Sequence, residues 1–330
     1  MSLSRRELIC TGTMAAATAA MPVAASGEAA DIPIIDPHMH LFDATRPQGA
    51  VYTGSKFYKG GVSTTAMYVP QARAAGIVGA MAMEASPWIE DNLWLLEQIT
   101  PEPFFVGMVG MLEPDKPDFA QTLDRYHKNR LFRGIRYGKL WGFDISKRVE
   151  DPAFIAGLKY LASVDLPLDT ANVDLDLLKT CIFLNDKIPD LRIVLDHSPA
   201  YTPKPVDEAG YDAALKEIAG RPNLFTKISW NFITADDVDH QAGGQLVKGV
   251  NAYKDKLDRL TGIFGEDRVM FCSNYPQSVG PVVSTVAAIT NLAKAYYAGK
   301  PRPAAEKFFW KNSANVYKWV RRSQSQPMPA

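Results

Sequence analysis

The stretch Asp36-Pro37-His38-Met39-His40 follows the apolar pair Ile34-Ile35, and the interpretation of the whole chain starts from it. Side chains alternate between the two faces of a β-strand, so His38 and His40 point the same way. Two imidazoles at a strand end can bind a metal, stabilise an oxyanion or relay a proton. A pair of hydrogen-bonded structural histidines is the alternative. The chain has only five histidines, and a third, His197, ends another apolar run, which favours an active site.

Short apolar runs recur along the chain after the first thirty residues. They are rich in Val, Ile, Met or Phe and lack clean polar alternation, which is typical of strands buried on both faces of a parallel sheet. They cover residues 32–41, 77–84, 104–111, 132–137, 166–170, 191–197, 224–230 and 268–273. Amphipathic helical stretches separate most of them.

Eight strand–helix repeats of this kind predict one α/β domain, a single (β/α)8 TIM barrel over residues 31–322. A doubly wound open sheet is the alternative. It is weakened because no Gly-x-Gly-x-x-Gly follows any of the runs.

The two ends of the chain are expected to lie outside the barrel. Ser4-Arg5-Arg6-Glu7-Leu8-Ile9 is a twin-arginine pattern, and a weakly apolar, Ala-rich run follows it. That run is too short and too interrupted to span a membrane. We therefore expect residues 1–30 to be a twin-arginine signal peptide and the mature protein to be periplasmic or secreted, with a disordered leader as the alternative. The polar tail 323–330 is expected to fray.

Composition excludes several classes of partner. The formal net charge is zero and the pI is about 7.0, so there is no basic field to hold a nucleic acid and no polybasic run to hold a membrane. Cys181 and Cys272 are predicted to be buried free thiols rather than a disulfide or a zinc knuckle. The partner expected is a small-molecule substrate, without nucleic acid or membrane anchor. Homo-oligomerisation stays open.

Polar and aromatic side chains fall at the ends of the predicted strands, where barrels of this kind carry their chemistry. In strand order they are Asp36, His38, His40, Glu84, Arg136, Tyr137, Asp169, Asp196, His197, Lys227, Trp230 and Asn274. Each one alone is weak evidence, because Asp169 can cap a helix, Arg136 can form a structural ion pair and Trp230 can be barrel wall. Together they predict one site.

These motifs resemble the amidohydrolase superfamily, and within it the amidohydrolase-related branch of hydrolases similar to fuconolactonase and 2-pyrone-4,6-dicarboxylate lactonase. The matching motifs are Asp36-Pro37-His38-Met39-His40, Gly134-Ile135-Arg136, Asp196-His197, Lys227-Ile228-Ser229 and Phe271-Cys272-Ser273-Asn274-Tyr275-Pro276. One position departs from the pattern. Asn274 stands where the branch has its general-base aspartate, and an amide cannot accept a proton near neutral pH.

The resemblance implies hydrolysis of a lactone, of a sugar or a sugar acid. The histidines would donate to the carbonyl oxygen, Asn274 would orient a water, and Glu84 or Asp169 would take its proton. The catalytic residues are thus expected to be His38, His40, His197, Asn274 and Glu84. The residues expected to bind substrate are Arg136, Tyr137, Asp169 and Trp230.

The cofactor and two alternative functions stay open at this point. His38, His40 and His197 supply three ligands for one divalent ion, Zn or Mn, if a metal is bound, whereas metal-independent lactonases of the branch imply that no cofactor is needed. Metal-assisted decarboxylation, as in decarboxylase relatives, is the alternative reaction. A non-catalytic small-molecule binder is the other alternative, because Asn274 removes the usual base.

Overall fold

The computed structural model describes residues 31–52, 61–197, 207–230, 232–239, 241–276 and 285–329. Eight parallel strands form one sheet, and strands consecutive in the chain are neighbours in it. They are β1 (Ile34–His40), β2 (Ile77–Met83), β3 (Phe105–Gly110), β4 (Phe132–Arg136), β5 (Leu168–Thr170), β6 (Ile193–Leu195), β7 (Leu224–Ile228) and β8 (Val269–Phe271). The residues after β8 return to β1, where His40 N donates to Tyr275 O at 2.7 Å. The predicted single (β/α)8 barrel is confirmed.

Helices alternate with these strands. They are α1 (Thr65–Ala74), α2 (Asp91–Ile99), α3 (Phe119–His127), α4 (Pro152–Ser163), α5 (Leu175–Lys187), α6 (Glu208–Ala219), α7 (Lys254–Phe264), α8 (Val286–Tyr297), α9 (Arg302–Glu306) and α10 (Asn312–Tyr317), with a π-helical turn Lys307–Lys311 before α10. Local sequence explains where α4 begins: the Asp151 carboxylate accepts from Ala153 N, and Pro152 fits the first turn of the helix. None of the described helices combines the length and apolar character required to cross a bilayer.

The loops carry short additional elements. Two antiparallel pairs join Phe42–Asp43 to Val62–Ser63 and Val238–Asp239 to Gln245–Leu246. Within the described residues, 3-10 turns cover Ile145–Lys147, Ala235–Asp237 and Val250–Ala252.

Strand alternation decides which side chains enter the barrel. On β7, Phe225 belongs to an inner apolar cluster, whereas Leu224 and Ile228 belong to the core between the sheet and the helices. Lys227, two residues after Phe225, therefore points inward. On β6, Val194 points inward by the same criterion, so Asp196 does too.

The C-terminal segment closes the N-terminal mouth of the barrel. Residues 312–320, which we call the plug, lie across the strand starts: Arg133 Nε donates to Tyr317 O at 3.1 Å and Arg192 Nε to Val316 O at 2.9 Å. Plug side chains pack into the inner cluster from below. The members of the cluster include Met81, Val194, Phe225, Met270, Ala314, Val316, Tyr317 and Trp319.

The C-terminal tail differs from the prediction. The sequence predicts that residues 323–330 fray, but Gln326 is 2% exposed and its amide donates to Pro103 O at 2.9 Å. Its Oε1 accepts from Arg322 N and Ser323 N at 2.6 and 3.0 Å. The side chain thus supplies partners that an irregular backbone lacks, and residues 323–329 are held. The predicted signal peptide, residues 1–30, lies outside the described residues.

The two cysteines that lie within the described residues are in the predicted state. Cys181 and Cys272 are both buried and free. Burial raises the pKa of the Cys181 thiol to about 12, so it is inert as a nucleophile at neutral pH.

Candidate active site

Three histidines meet at the C-terminal end of the barrel, as predicted. His38 and His40 end β1, and their Nε2 atoms are 3.1 Å apart. His197 follows β6, and its ring centroid lies 4.9 Å from that of His38. His38 is fully buried, His40 is 5% exposed and His197 is half-buried, so the group opens toward solvent on the His197 side.

These histidines are neutral at physiological pH. Burial, followed by the charge of Arg136, lowers the pKa of His40 to about 3. Burial lowers the pKa of His197 to about 4 although Asp196 opposes it, and burial likewise holds the pKa of His38 well below its usual value. His40 Nδ1 lies 3.1 Å from Glu84 O, an acceptor, so Nδ1 carries the proton and Nε2 presents a lone pair toward His38.

His38 is flanked by charged groups on both ring nitrogens. Its Nδ1 is 3.2 Å from Asp196 Oδ1, an acceptor, and 3.2 Å from Lys227 Nζ, a donor. Its Nε2 faces His40 Nε2 and, at 3.4 Å, Arg136 Nη1. Each neutral tautomer of His38 therefore has a partner for its N–H, and the neighbouring charges decide which tautomer is held.

Lys227 is fully buried between two carboxylates under the histidines. Its Nζ is 2.5 Å from Asp169 Oδ2 and 3.0 Å from Asp196 Oδ1. Burial opposes the charge on Lys227, but the two carboxylates outweigh it and raise the pKa of the ammonium. Burial raises the pKa of Asp169 to about 7. Burial also acts to raise the pKa of Asp196, yet Lys227 and His38 hold that pKa well below its usual range.

Glu84 is bound to Arg136 and is unsuited to the proton-accepting role expected from the sequence. Its Oε1 lies 2.7 Å from Arg136 Nε, and its Oε2 accepts from Ser86 N at 2.9 Å and from Trp141 Nε1 at 3.0 Å. Both oxygens are thus engaged by donors. Glu84 instead holds the Arg136 guanidinium, which is 5% exposed, against His38.

Three strand ends carry left-handed backbone at this mouth of the barrel. The φ angles are +67° at His197, +62° at Trp230 and +51° at Asn274, each in a region that is costly for residues other than glycine. Asn274 is 6% exposed, and among the described residues its Oδ1 has no hydrogen-bond partner. Its backbone N–H donates to His38 O at 3.0 Å. The amide oxygen is therefore held at the site as an acceptor without a protein donor among the described residues.

Three of the residues expected to bind substrate are engaged elsewhere. Tyr137 follows Arg136 directly, so alternation turns it away from the barrel interior, where its ring packs 5.4 Å from Phe154 of α4. Trp230 is 1% exposed, and its indole N–H donates to Cys272 O at 3.0 Å, so it is barrel wall. Asp169 is fully buried beneath His38. Of the four residues, only Arg136 lies at the histidines.

Two half-buried aromatic side chains that the sequence analysis did not single out extend the site instead: Tyr52 lies next to His40, and Trp141 lies next to Tyr52 and Glu84. The Tyr52 ring lies 5.7 Å from His40 and 6.2 Å from Trp141. Tyr52 belongs to a long loop after β1 that is rich in aromatics, a weak signal, whereas nothing near Trp141 marks it. These two rings form the apolar side of the site.

The site contains a candidate metal cluster that fits a divalent ion poorly. Ligand atoms of His38, Asp196 and His197 lie within 4.8 Å of one another, which is a plausible ligand set by residue type. Lys227 already occupies Asp196 Oδ1 at 3.0 Å, and Arg136 Nη1 lies 3.6 Å from Asp196 Oδ2. A divalent ion would sit beside two fixed positive charges in a buried setting, so we assign no chemical step to a metal.

Comparison with known proteins gives a family match over most of the chain. The sequence model of the amidohydrolase family matches residues 35–319. Protein y4mH of Sinorhizobium fredii is 27% identical in an alignment 318 positions long that covers 87% of this chain and 99% of y4mH. L-fucono-1,5-lactonase of Burkholderia ambifaria is 25% identical in an alignment 164 positions long that covers 48% of this chain and 54% of the lactonase.

A solved structure has the same fold. The crystal structure of an amidohydrolase from Burkholderia multivorans with bound HEPES superposes with a TM-score of 0.72 at 20% identity, covering 87% of this chain and 99% of that one. A second crystal form of the same protein, with bound zinc, gives a TM-score of 0.70. At this identity the likeness concerns the fold alone.

Proposed function

This chain belongs to the amidohydrolase family, whose members are mostly hydrolases acting on small molecules, and on that premise we propose that it hydrolyses a lactone of a sugar or sugar acid. The observation that carries the proposal is the set of three neutral imidazoles beside the Arg136 guanidinium at one barrel mouth. The partial similarity to L-fucono-1,5-lactonase supports the substrate class.

The proposed reaction adds one water across the ring ester. The water oxygen bonds to the carbonyl carbon, the ring C–O bond breaks, and the proton released by the water ends on the departing ring oxygen, which gives a hydroxy acid. A neutral imidazole, His40 or His197, carries that proton between the two oxygens. Arg136 places positive charge beside His38, where negative charge on the carbonyl oxygen develops.

The weakness of the bases argues for an activated substrate. An imidazole with a pKa of about 4, as at His197, is a poor proton acceptor at neutral pH. The amide of Asn274 cannot act as a base at all. A lactone is more electrophilic than an amide and tolerates weak base catalysis. The faces of Tyr52 and Trp141 suit the apolar side of a compact ring, and the free Asn274 Oδ1 suits a hydroxyl or water donor.

A panel of aldonolactones with five- and six-membered rings, with aryl esters and amides for comparison, tests the proposal by acid release at constant pH. We expect turnover of at least one lactone and a loss of about 100-fold or more in His197→Ala, in line with removal of an acid–base group. His127→Ala is the matched control, because His127 lies on α3 outside the barrel and its loss is expected to leave the rate unchanged.

Two outcomes would contradict the lactonase proposal. Binding of lactones by calorimetry without any turnover would indicate a non-catalytic binder. Metal-dependent release of carbon dioxide from carboxylated substrates, with about one equivalent of zinc or manganese in the purified protein, would indicate the decarboxylase alternative and require Lys227 or Arg136 to move.

A further inference from the structure

We propose that His197 is the histidine of this site that reacts with the substrate, and that His38 and His40, which we call the closed pair, bind each other and their buried neighbours instead. The proposal narrows the function given above, in which His40 or His197 carries the proton. The catalytic role of His197 rests on that function. The difference in access between the three rings does not.

All four ring nitrogens of the closed pair face partners within the protein. The two Nε2 atoms are 3.1 Å apart, and His40 Nδ1 lies 3.1 Å from Glu84 O. His38 Nδ1 lies 3.2 Å from both Asp196 Oδ1 and Lys227 Nζ. Whichever nitrogen of His38 carries its proton, a ligand could reach the closed pair only by displacing one of these buried partners, which is costly.

Burial also separates the closed pair from the open end of the barrel. His38 is 0% exposed and His40 is 5% exposed, and the Tyr52 ring lies 5.7 Å from the His40 ring. His197 is half-buried, although its ring centroid is only 4.9 Å from that of His38. A small molecule that enters from solvent therefore meets His197 before it can reach the other two rings.

The backbone explains why His197 lies at the opening. Asp196 points into the barrel, so continued alternation would turn the next side chain, His197, outward toward the helices. The φ angle of His197 is +67°, a left-handed conformation that breaks the alternation and is unfavourable for histidine. Strain of this kind is typical of functional positions, and here it brings the ring back to the site.

This arrangement gives the proton of the proposed hydrolysis one carrier. As the water oxygen bonds to the carbonyl carbon, the His197 imidazole takes a proton from the water. It gives that proton to the ring oxygen when the ring C–O bond breaks. The closed pair keeps its protons throughout, and Arg136, whose Nη1 lies 3.4 Å from His38 Nε2, stays the positive group near the carbonyl oxygen.

The test maps modification by diethyl pyrocarbonate, which acylates neutral imidazole, on the full-length protein after dialysis against a chelator. Peptide mass mapping follows each of the five histidines. Lowered pKa values keep all three rings of the site neutral at neutral pH, so their rates compare access rather than charge. His127, half-buried on α3, is the reference for a half-buried ring outside the site.

We expect His197 to react about tenfold faster than His38 and His40 or more, because buried rings react only when the structure opens locally. In urea all three should react alike, which controls for recovery of the peptides. The proposal is overturned if the three rings of the folded protein react at equal rates, whether fast or slow, or if His38 or His40 reacts first. This measurement needs no substrate.

With a lactone that is turned over, activity should fall in proportion to the modification of His197, and the hydroxy acid product should slow that modification. His197→Gln should lower kcat about 100-fold or more, whereas His127→Gln should leave it unchanged. Activity that survives full modification of His197 would overturn its catalytic role. If no lactone is turned over, the function proposed above fails, while the mapping still decides which ring a ligand can reach.

Discussion

The barrel seam between β8 and β1 should depend on the side chain of Asp36. This fully buried carboxylate accepts from Ser273 Oγ and Tyr68 OH at 2.5 Å each, from Ser273 N at 3.0 Å and from His38 N at 3.3 Å. Beyond one bridge between Met39 and Tyr275, the seam has few backbone contacts. The carboxylate therefore replaces part of a missing strand ladder.

Replacing Ser273 by alanine removes one hydrogen bond to a carboxylate, worth about 1.5–3 kcal/mol, and the acceptor of Tyr275 N at 3.1 Å. At about 2 °C per kcal/mol for a chain of this size, the melting temperature should fall by about 3–6 °C. Thermal unfolding followed by circular dichroism measures this fall in melting temperature. Ser163→Ala is the control, because the exposed Ser163 hydroxyl donates to Tyr160 O within the same helix. Equal melting temperatures for the two variants would refute the role assigned to Asp36.

Three further predictions concern the site. Arg136→Lys keeps the charge but loses the contact of Nε with Glu84, so kcat/KM should fall about 100-fold, as for one lost oxyanion donor, and a wild-type rate would exclude Arg136 from that role. Dialysis against a chelator should leave the rate unchanged, because Lys227 and Arg136 place fixed positive charge beside the candidate metal ligands; a loss restored by zinc would contradict this. The pKa of His197 is lowered from 6.5 to about 4, so its neutral form stabilises the fold above pH 6.5 and this contribution is lost as the pH falls toward 4. The stability difference between wild type and His197→Gln should therefore shrink by up to about 3 kcal/mol over that range, measured by urea unfolding at each pH, whereas a constant difference would exclude the lowered pKa.

The strands and the meeting of the histidines could be predicted because both follow from local pattern. Apolar runs mark buried strands, and the strand ends of a barrel share one mouth, so His38 and His197 meet although they are far apart in sequence. The same reasoning, applied more strictly, would have excluded Tyr137: it adjoins Arg136 on one strand, and adjacent side chains point to opposite faces.

Other features depend on contacts that no local pattern records. Glu84 sits at the site as expected, but its engagement by Arg136 and Trp141 depends on how the loop after β4 folds back. Tyr317 meets Asp169 across 148 positions of sequence, from a segment whose sequence reads as an ordinary terminal helix. A role that depends on which hydrogen-bond or ion-pair partner a buried side chain has must therefore be taken from the three-dimensional structure.

The plug also sets an order for folding. Met81, Phe225 and Met270, which residues 312–320 cover, stay open to water until the plug docks. The strands can pair before that step, because their ladders do not involve the plug, but the lower half of the interior cannot become dry. A chain truncated before residue 312 should therefore expose apolar surface at the lower mouth of the barrel and be prone to aggregation.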